Sequence, residues 1–150
     1  MGQRGQYGDF IEFLARVEDP ARARTNRRIT ISDAEAKALR ERYPGIPDDF
    51  VAYLQEVGRG NVCECRFKVY GWMGTPDDIL GEGVFDWLDP GLRVLCFGDN
   101  YQGDLSGFLP DEGWAVVELW HDVGELVRAG QTFGAYIREY VGANGDSPRE

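Results

Sequence analysis

The sequence predicts an α+β domain. Helical periodicity is concentrated toward the two ends of the chain, strand-like segments lie between, and the strand-helix alternation of a doubly wound sheet is missing. At 150 residues with 43% apolar and 13% aromatic content, the chain has material for one core in one ordinary domain. No internal repeat or long low-complexity tract divides it.

The first helix is predicted in YGDFIEFLARVE, where Phe10, Ile11, Leu14 and Val17 recur at three- and four-residue spacing and Pro20 stops the run. Asp19 to Arg28 lack apolar periodicity and read as a linker joining this helix to the domain. Ser32 and Glu35 have capping-box spacing and open a second helix to about Arg42, ended by Pro44-Gly45. In IPDDFVAYLQEVGRG, Pro47 suits a first turn and Asp48 and Asp49 favour its positive end. Phe50, Tyr53, Leu54 and Val57 make its buried face, and Gly58 or Gly60 supplies a left-handed exit.

The period then falls to two. NVCECRFKVYGW reads as one strand with Cys63, Cys65, Phe67 and Val69 inward and Glu64, Arg66, Lys68 and Tyr70 outward. The two cysteines on this pattern are small core side chains, with redox or metal use as the other readings. Thr75-Pro76 caps a short helix that Gly81 or Gly83 stops. LRVLCFG and WAVVELW are the strongest later strands, with a turn and a third short strand around Leu105 to Leu109 between them. QTFGAYIREYV closes the domain as a helix capped by Thr132, and residues 142–150 are expected to fray.

Charge is unevenly distributed. The chain carries 16 basic and 26 acidic residues, a net charge of −10. Between Thr75 and Glu125, twelve acidic residues face only Arg93. Such a window is either a solvated face or a surface that steers a cationic partner. The balance argues against direct nucleic-acid binding, and the basic run Arg22, Arg24, Arg27, Arg28 lacks interleaved aromatics. No apolar run approaches the ~20 residues of a membrane span, and no secretory signal pattern opens the chain, so a cytoplasmic location is expected.

Nothing in the sequence forms a convincing reactive constellation. Cys63, Cys65 and Cys96 are an odd number of thiols without zinc-finger spacing, and His121 is the one histidine. His121 beside Asp122 resembles half of a general-base pair, but no GxSxG nucleophile elbow accompanies it. Asp99, Asp104 and Asp111 lack EF-hand spacing, and GDNYQGD lacks the lysine of a phosphate-binding loop. No catalytic residue, metal site or cofactor is therefore expected.

Three blocks in order carry a family resemblance. IPDDFVAYLQEVGRGN, LRVLCFGDNYQGDLSGF and QTFGAYIREYV resemble the opening, central and closing blocks of SUKH-superfamily domains, in the cell-wall-assembly-regulator-like branch. The likeness spans roughly Ser32 to Val141, so residues 1–30 read as an N-terminal helix and linker, 31–141 as the domain and 142–150 as a tail. Matched to the family core motif are Ile46, Pro47, Phe50, Phe97, Gly98, Asp99, Gly103, Asp104 and Phe133. The resemblance implies a central mixed, largely antiparallel sheet with helices packed against it, and no general catalytic set.

Many bacterial members of that superfamily are immunity proteins that bind a cognate polymorphic toxin; others are regulatory or scaffold proteins. The expectation here is toxin neutralisation by stoichiometric occlusion, the target a basic toxin domain such as a nuclease. A regulatory or scaffold domain is the alternative. Candidate partner-binding residues are Asp77, Asp78, Glu82, Asp86, Asp89, Asp111 and Glu112, with Trp87 and Trp114 as aromatic anchors.

Overall fold

The computed structural model describes residues 5–145. Among them the order is α1 (Gly8–Val17), β1 (Arg28–Ile29), α2 (Asp33–Arg42), α3 (Asp48–Glu56), β2 (Arg59–Val62), β3 (Phe67–Gly74), α4 (Pro76–Leu80), β4 (Leu95–Asp99), β5 (Leu105–Leu109), β6 (Ala115–Trp120), β7 (Glu125–Arg128) and α5 (Phe133–Val141). The seven strands form one sheet in chain order, and every neighbouring pair is antiparallel. The fold is α+β with helices packed against the sheet, and the sheet is purely antiparallel rather than mixed.

Both faces carry an apolar core, the second over strands β4 to β6. On the first face, Phe10, Phe13 and Leu14 of α1, Phe50, Tyr53 and Leu54 of α3, and Phe133, Tyr136 and Ile137 of α5 meet Phe67, Val69, Phe97, Phe108 and Val116 of the strands. Phe97 lies at the centre of this core, 4.8 Å from Phe108, 5.0 Å from Phe133 and 5.7 Å from Phe50 between ring centroids. Each such ring removed from water contributes about 1.5–3 kcal/mol. On the second face, the connection between β3 and β4 lays Phe85, Trp87, Leu88 and Val94 over Cys96, Leu105, Leu109, Val117 and Leu119. Strands β4 to β6 are thus buried on both sides, which explains why LRVLCFG and WAVVELW read as near-continuous apolar runs.

The capping chemistry operates as the sequence predicts. Ser32 and Glu35 exchange both capping-box bonds at α2, Thr75 and Asp78 do so at α4, and the Thr132 hydroxyl accepts from Ala135 N at α5. Each of these contacts satisfies a backbone donor left without a helical partner. Pro47 stands just before α3 as its N-cap residue.

Three expectations are corrected. The single strand across 61–72 is instead a hairpin: β2 stops at Val62, Cys63 to Arg66 turn, and β3 begins at Phe67. Cys63, Glu64 and Cys65 have φ of 51°, 51° and 66°, left-handed conformations that non-glycine residues resist. Side chains from the N-terminal segment hold the turn: Cys63 N donates to Glu18 Oε2 at 2.9 Å, and Glu64 N donates to Asn26 Oδ1 at 2.8 Å. The cysteines therefore sit half-buried on a turn and not inward on a strand.

In α1, Phe10 and Leu14 face the core, but Ile11 and Val17 are 42% and 45% exposed while Phe13 is buried. The helix is apolar on more than one side, and the face with two phenylalanines buries more area. Finally, Asp19 to Arg28 contain a short 3-10 turn, Pro20–Arg22, and end in the edge strand β1; β7 is a further strand that the sequence pattern did not signal. The expected fraying of 142–150 falls partly outside the described residues; within them, Gly142 closes α5 in the left-handed conformation.

Candidate functional site

The acidic window resolves into surfaces at different places in the fold. Asp77, Asp78, Glu82, Asp86 and Asp89 all lie on the β3–β4 connection, and Asp111 and Glu112 lie on the β5–β6 connection; all seven are exposed. In an antiparallel meander these two connections leave the same end of the sheet.

Some of these carboxylates already have local partners. Asp78 Oδ2 accepts from Thr75 N at 2.9 Å, Asp89 Oδ1 accepts from Gly91 N at 2.9 Å, and Glu112 receives both ends of the Arg128 guanidinium at 2.9 and 2.8 Å. That guanidinium holds the Glu112 carboxyl below its ordinary range. No ion pair engages Asp77, Glu82 or Asp86 among the described residues. An open cavity of about 600 Å³ lies within the same connection, lined by Asp77, Asp86, Asp89 and Arg93 beside Phe85 and Leu88.

The two tryptophans singled out with these acids serve packing. Trp87 stands edge-on to Phe85 at 5.7 Å and lies 3.6 Å from where a Cβ on Gly124 would project. Trp114 stands edge-on to Phe108 at 5.7 Å and is half-buried, its indole against Gly45. Trp72 and Trp120 are the exposed tryptophans instead, at 50% and 37%.

The residues matched to the family core motif converge from three distant blocks. Phe50, Phe97 and Phe133 form one ring cluster, with Phe50 and Phe133 5.0 Å apart. Ile46 is buried in the same core. A Cβ on Gly98 would fall 2.3 Å from the Lys68 carbonyl oxygen, so only glycine lets β3 and β4 approach at this irregular point in their register.

Asp99 and Asp104 hold the loop between β4 and β5. Asp99 Oδ1 accepts from Tyr101 N at 2.8 Å, and its other oxygen takes the Tyr70 hydroxyl. Asp104 Oδ1 accepts from His121 N at 3.0 Å and lies 2.7 Å from His121 Nδ1. Gly103, at φ 97°, leaves room for the imidazole: a Cβ there would lie 2.9 Å from Cε1.

Beside this β4–β5 loop the structure assembles a polar group that sequence reasoning missed. Ser106 on β5 and Glu118 on β6 are cross-strand partners, both buried, and the Tyr136 hydroxyl from α5 lies 2.7 Å from each. Burial, with the Glu118 charge beside it, pushes the Tyr136 phenol well above its ordinary range. Together with Asn100, Asp104 and Tyr140, Ser106 and Glu118 line a cavity of about 190 Å³. The available signal was Glu118 itself, the one charged residue in the otherwise apolar run WAVVELW; which face it takes was decided by packing.

Asp104, His121 and Asp122 also bring ligand atoms within 4.8 Å of one another, the donor types and spacing a divalent ion would need. His121 and Asp122 are exposed, and Asp104 is already engaged by the loop.

No family model, curated protein or solved structure matches the chain. The family reading therefore rests on the three sequence blocks. No helix among the described residues is long and apolar enough to cross a membrane.

Proposed function

We propose that this protein is a binding domain that neutralises a basic toxin domain by stoichiometric occlusion, an immunity role, and that the β3–β4 connection is its docking surface. The observation that carries the reading is the placement of Asp77, Asp78, Glu82, Asp86 and Asp89 as exposed side chains on one connection, with Asp111 and Glu112 exposed on the β5–β6 connection. Clustered charge of one sign accelerates encounter with a surface of the other sign and disfavours wrong partners. The three blocks that resemble SUKH domains supply the toxin-neutralising part of the reading. A nuclease suits the chemistry, because a surface built to attract phosphate also attracts carboxylates.

Affinity capture with the tagged full-length chain from its source cells at moderate salt, followed by mass spectrometry, identifies the partner. Recovery of a toxin domain supports the proposal, whereas reproducible recovery of only a housekeeping protein replaces it with the regulatory or scaffold reading. With the partner in hand, Asp77→Lys, Glu82→Lys and Asp86→Lys together are expected to slow association by at least about tenfold at low salt and by much less at high salt. These three positions leave the capping bonds of Asp78 and Asp89 intact. An association rate equal to wild type across the salt series would remove the acidic connection from the interface.

A further inference from the structure

The second face of the sheet is covered unevenly. The β3–β4 connection packs over strands β4 to β6, but beside β1, β2 and β3 a groove of about 630 Å³ stays open, bordered by α4. Three of the chain's exposed large apolar side chains line it: Ile29 at 43%, Trp72 at 50% and Leu80 at 40%. Trp72 stacks on the buried Tyr70 ring at 5.5 Å and 16°, which holds the indole at the groove surface. Apolar side chains gathered in this way on a protein surface mark interaction sites more often than the same residues scattered singly.

The charge balance around the groove is the reverse of the molecule's, with three basic residues against the two acids Asp78 and Asp99. Arg27, Arg59 and Lys68 line it, and none of the three makes an ion pair among the described residues. The acids in the lining, Asp78 and Asp99, are held in place by hydrogen bonds from Thr75 N, Tyr101 N and the Tyr70 hydroxyl. A protein of net charge −10 thus presents three cations against two carboxylates around an exposed tryptophan, with the Lys68 ammonium 6.0 Å over the Tyr70 ring. Tryptophan and arginine are the residue types that most often dominate protein interfaces.

We propose that this groove docks an extended, acidic segment of a partner protein that carries apolar anchor residues. Its carboxylates pair with Arg27, Arg59 and Lys68, and its apolar side chains cover Trp72, Ile29 and Leu80. From Lys68 to Trp72, β3 advances about 13 Å, which seats about four residues of extended chain. A nucleic-acid strand fits less well: Ile29 and Leu80 offer nothing to phosphate, and a polyanion leaving the groove would run onto the acidic connection that begins at Asp77. Asp78 borders both this groove and the proposed toxin-docking surface, but the groove's cations select a partner of opposite charge, so the two assignments are tested by separate substitutions.

The test is to pan a displayed library of random 12-residue peptides against the full chain. The enriched peptide, fluorescein-labelled, is then titrated by anisotropy into wild type, Trp72→Ala and Arg59→Glu/Lys68→Glu. These side chains are exposed, and thermal melts followed by circular dichroism establish that each variant remains folded. The expected result is enrichment of acidic peptides with Leu, Phe or Trp, weakened about tenfold or more by each variant and further by added salt. Failure to enrich any peptide, enrichment of basic ones, or affinity unchanged in folded variants overturns the proposal. Two controls overturn the choice of occupant: binding of a labelled 12-nucleotide oligothymidylate that Arg59→Glu/Lys68→Glu abolishes, or a dimer in sedimentation that Trp72→Ala dissolves.

Discussion

Tyr7 and Tyr53 meet edge to face at 5.2 Å in the first core, yet their hydroxyls have different surroundings. The Tyr7 hydroxyl donates to the Asp49 carbonyl at 2.7 Å, while the Tyr53 hydroxyl is buried without a hydrogen-bond partner among the described residues. Burial pushes both phenols above their ordinary range. An unsatisfied buried hydroxyl costs about 1–3 kcal/mol, whereas a made hydrogen bond contributes about 1 kcal/mol net. Tyr53→Phe is therefore expected to raise the unfolding free energy by about 1 kcal/mol, and Tyr7→Phe to lower it by about as much. Urea denaturation measures both, and a destabilised Tyr53→Phe protein would show that the hydroxyl contributes a stabilising contact. Sequence periodicity placed Tyr53 in the core but held no information about its hydroxyl, because that depends on which backbone carbonyls come within reach after packing.

The hairpin turn between β2 and β3 shows how an element can be set from a distance. Cys63 to Arg66 contain no glycine, proline or asparagine, the residues that announce turns, and the period-two pattern runs straight through them. Glu18 and Asn26 hold the turn amides, and Glu64 Oε1 in return accepts from Asp19 N at 2.6 Å. Asn26→Ala removes one of these bonds from a strained backbone and is expected to cost about 1–3 kcal/mol. The same variant should expose Cys63 to alkylation. In the wild type, burial first and the Glu18 charge second push the Cys63 thiol up to about 11. Because only the thiolate reacts, iodoacetamide labelling of Cys63 should be slow at neutral pH and keep accelerating as pH rises toward that value. Peptide mapping by mass spectrometry reads both effects, and a Cys63 rate that levels off near pH 9 would refute the assigned burial.

At the scale of the molecule, the N-terminal segment belongs to the main core. Tyr7, Phe10, Phe13 and Leu14 are buried there, and Arg138 of α5 ties Asp9 of α1 at 2.9 Å. Four such side chains contribute about 1.5–3 kcal/mol each, a sum comparable to the whole stability of a domain, typically about 5–15 kcal/mol. A chain beginning at Arg28 is therefore expected to lose cooperative thermal unfolding, measured by calorimetry and by the dispersion of its amide NMR spectrum. A cooperative transition in that truncated chain would make the segment a dispensable addition to the domain.

Much of this organisation was legible before folding, and the division has a physical basis. Helix starts at Ser32, Thr75 and Thr132, the apolar faces of α3 and α5, and strand β5 depend on residues within a few positions of one another, so sequence by itself determined them. The α+β class followed from their order. Tertiary structure alone decided the turn at Cys63, the face that α1 buries, and the pairing of short strands β1 and β7, because each depends on contacts with distant segments. The acidic residues were legible as a charge density, but their division between free carboxylates and helix or loop caps was not. The polar group of Ser106, Glu118 and Tyr136, and the cationic groove around Trp72, lie furthest from sequence reach. Each gathers side chains from three or more elements, and no periodicity encodes which faces of those elements will meet.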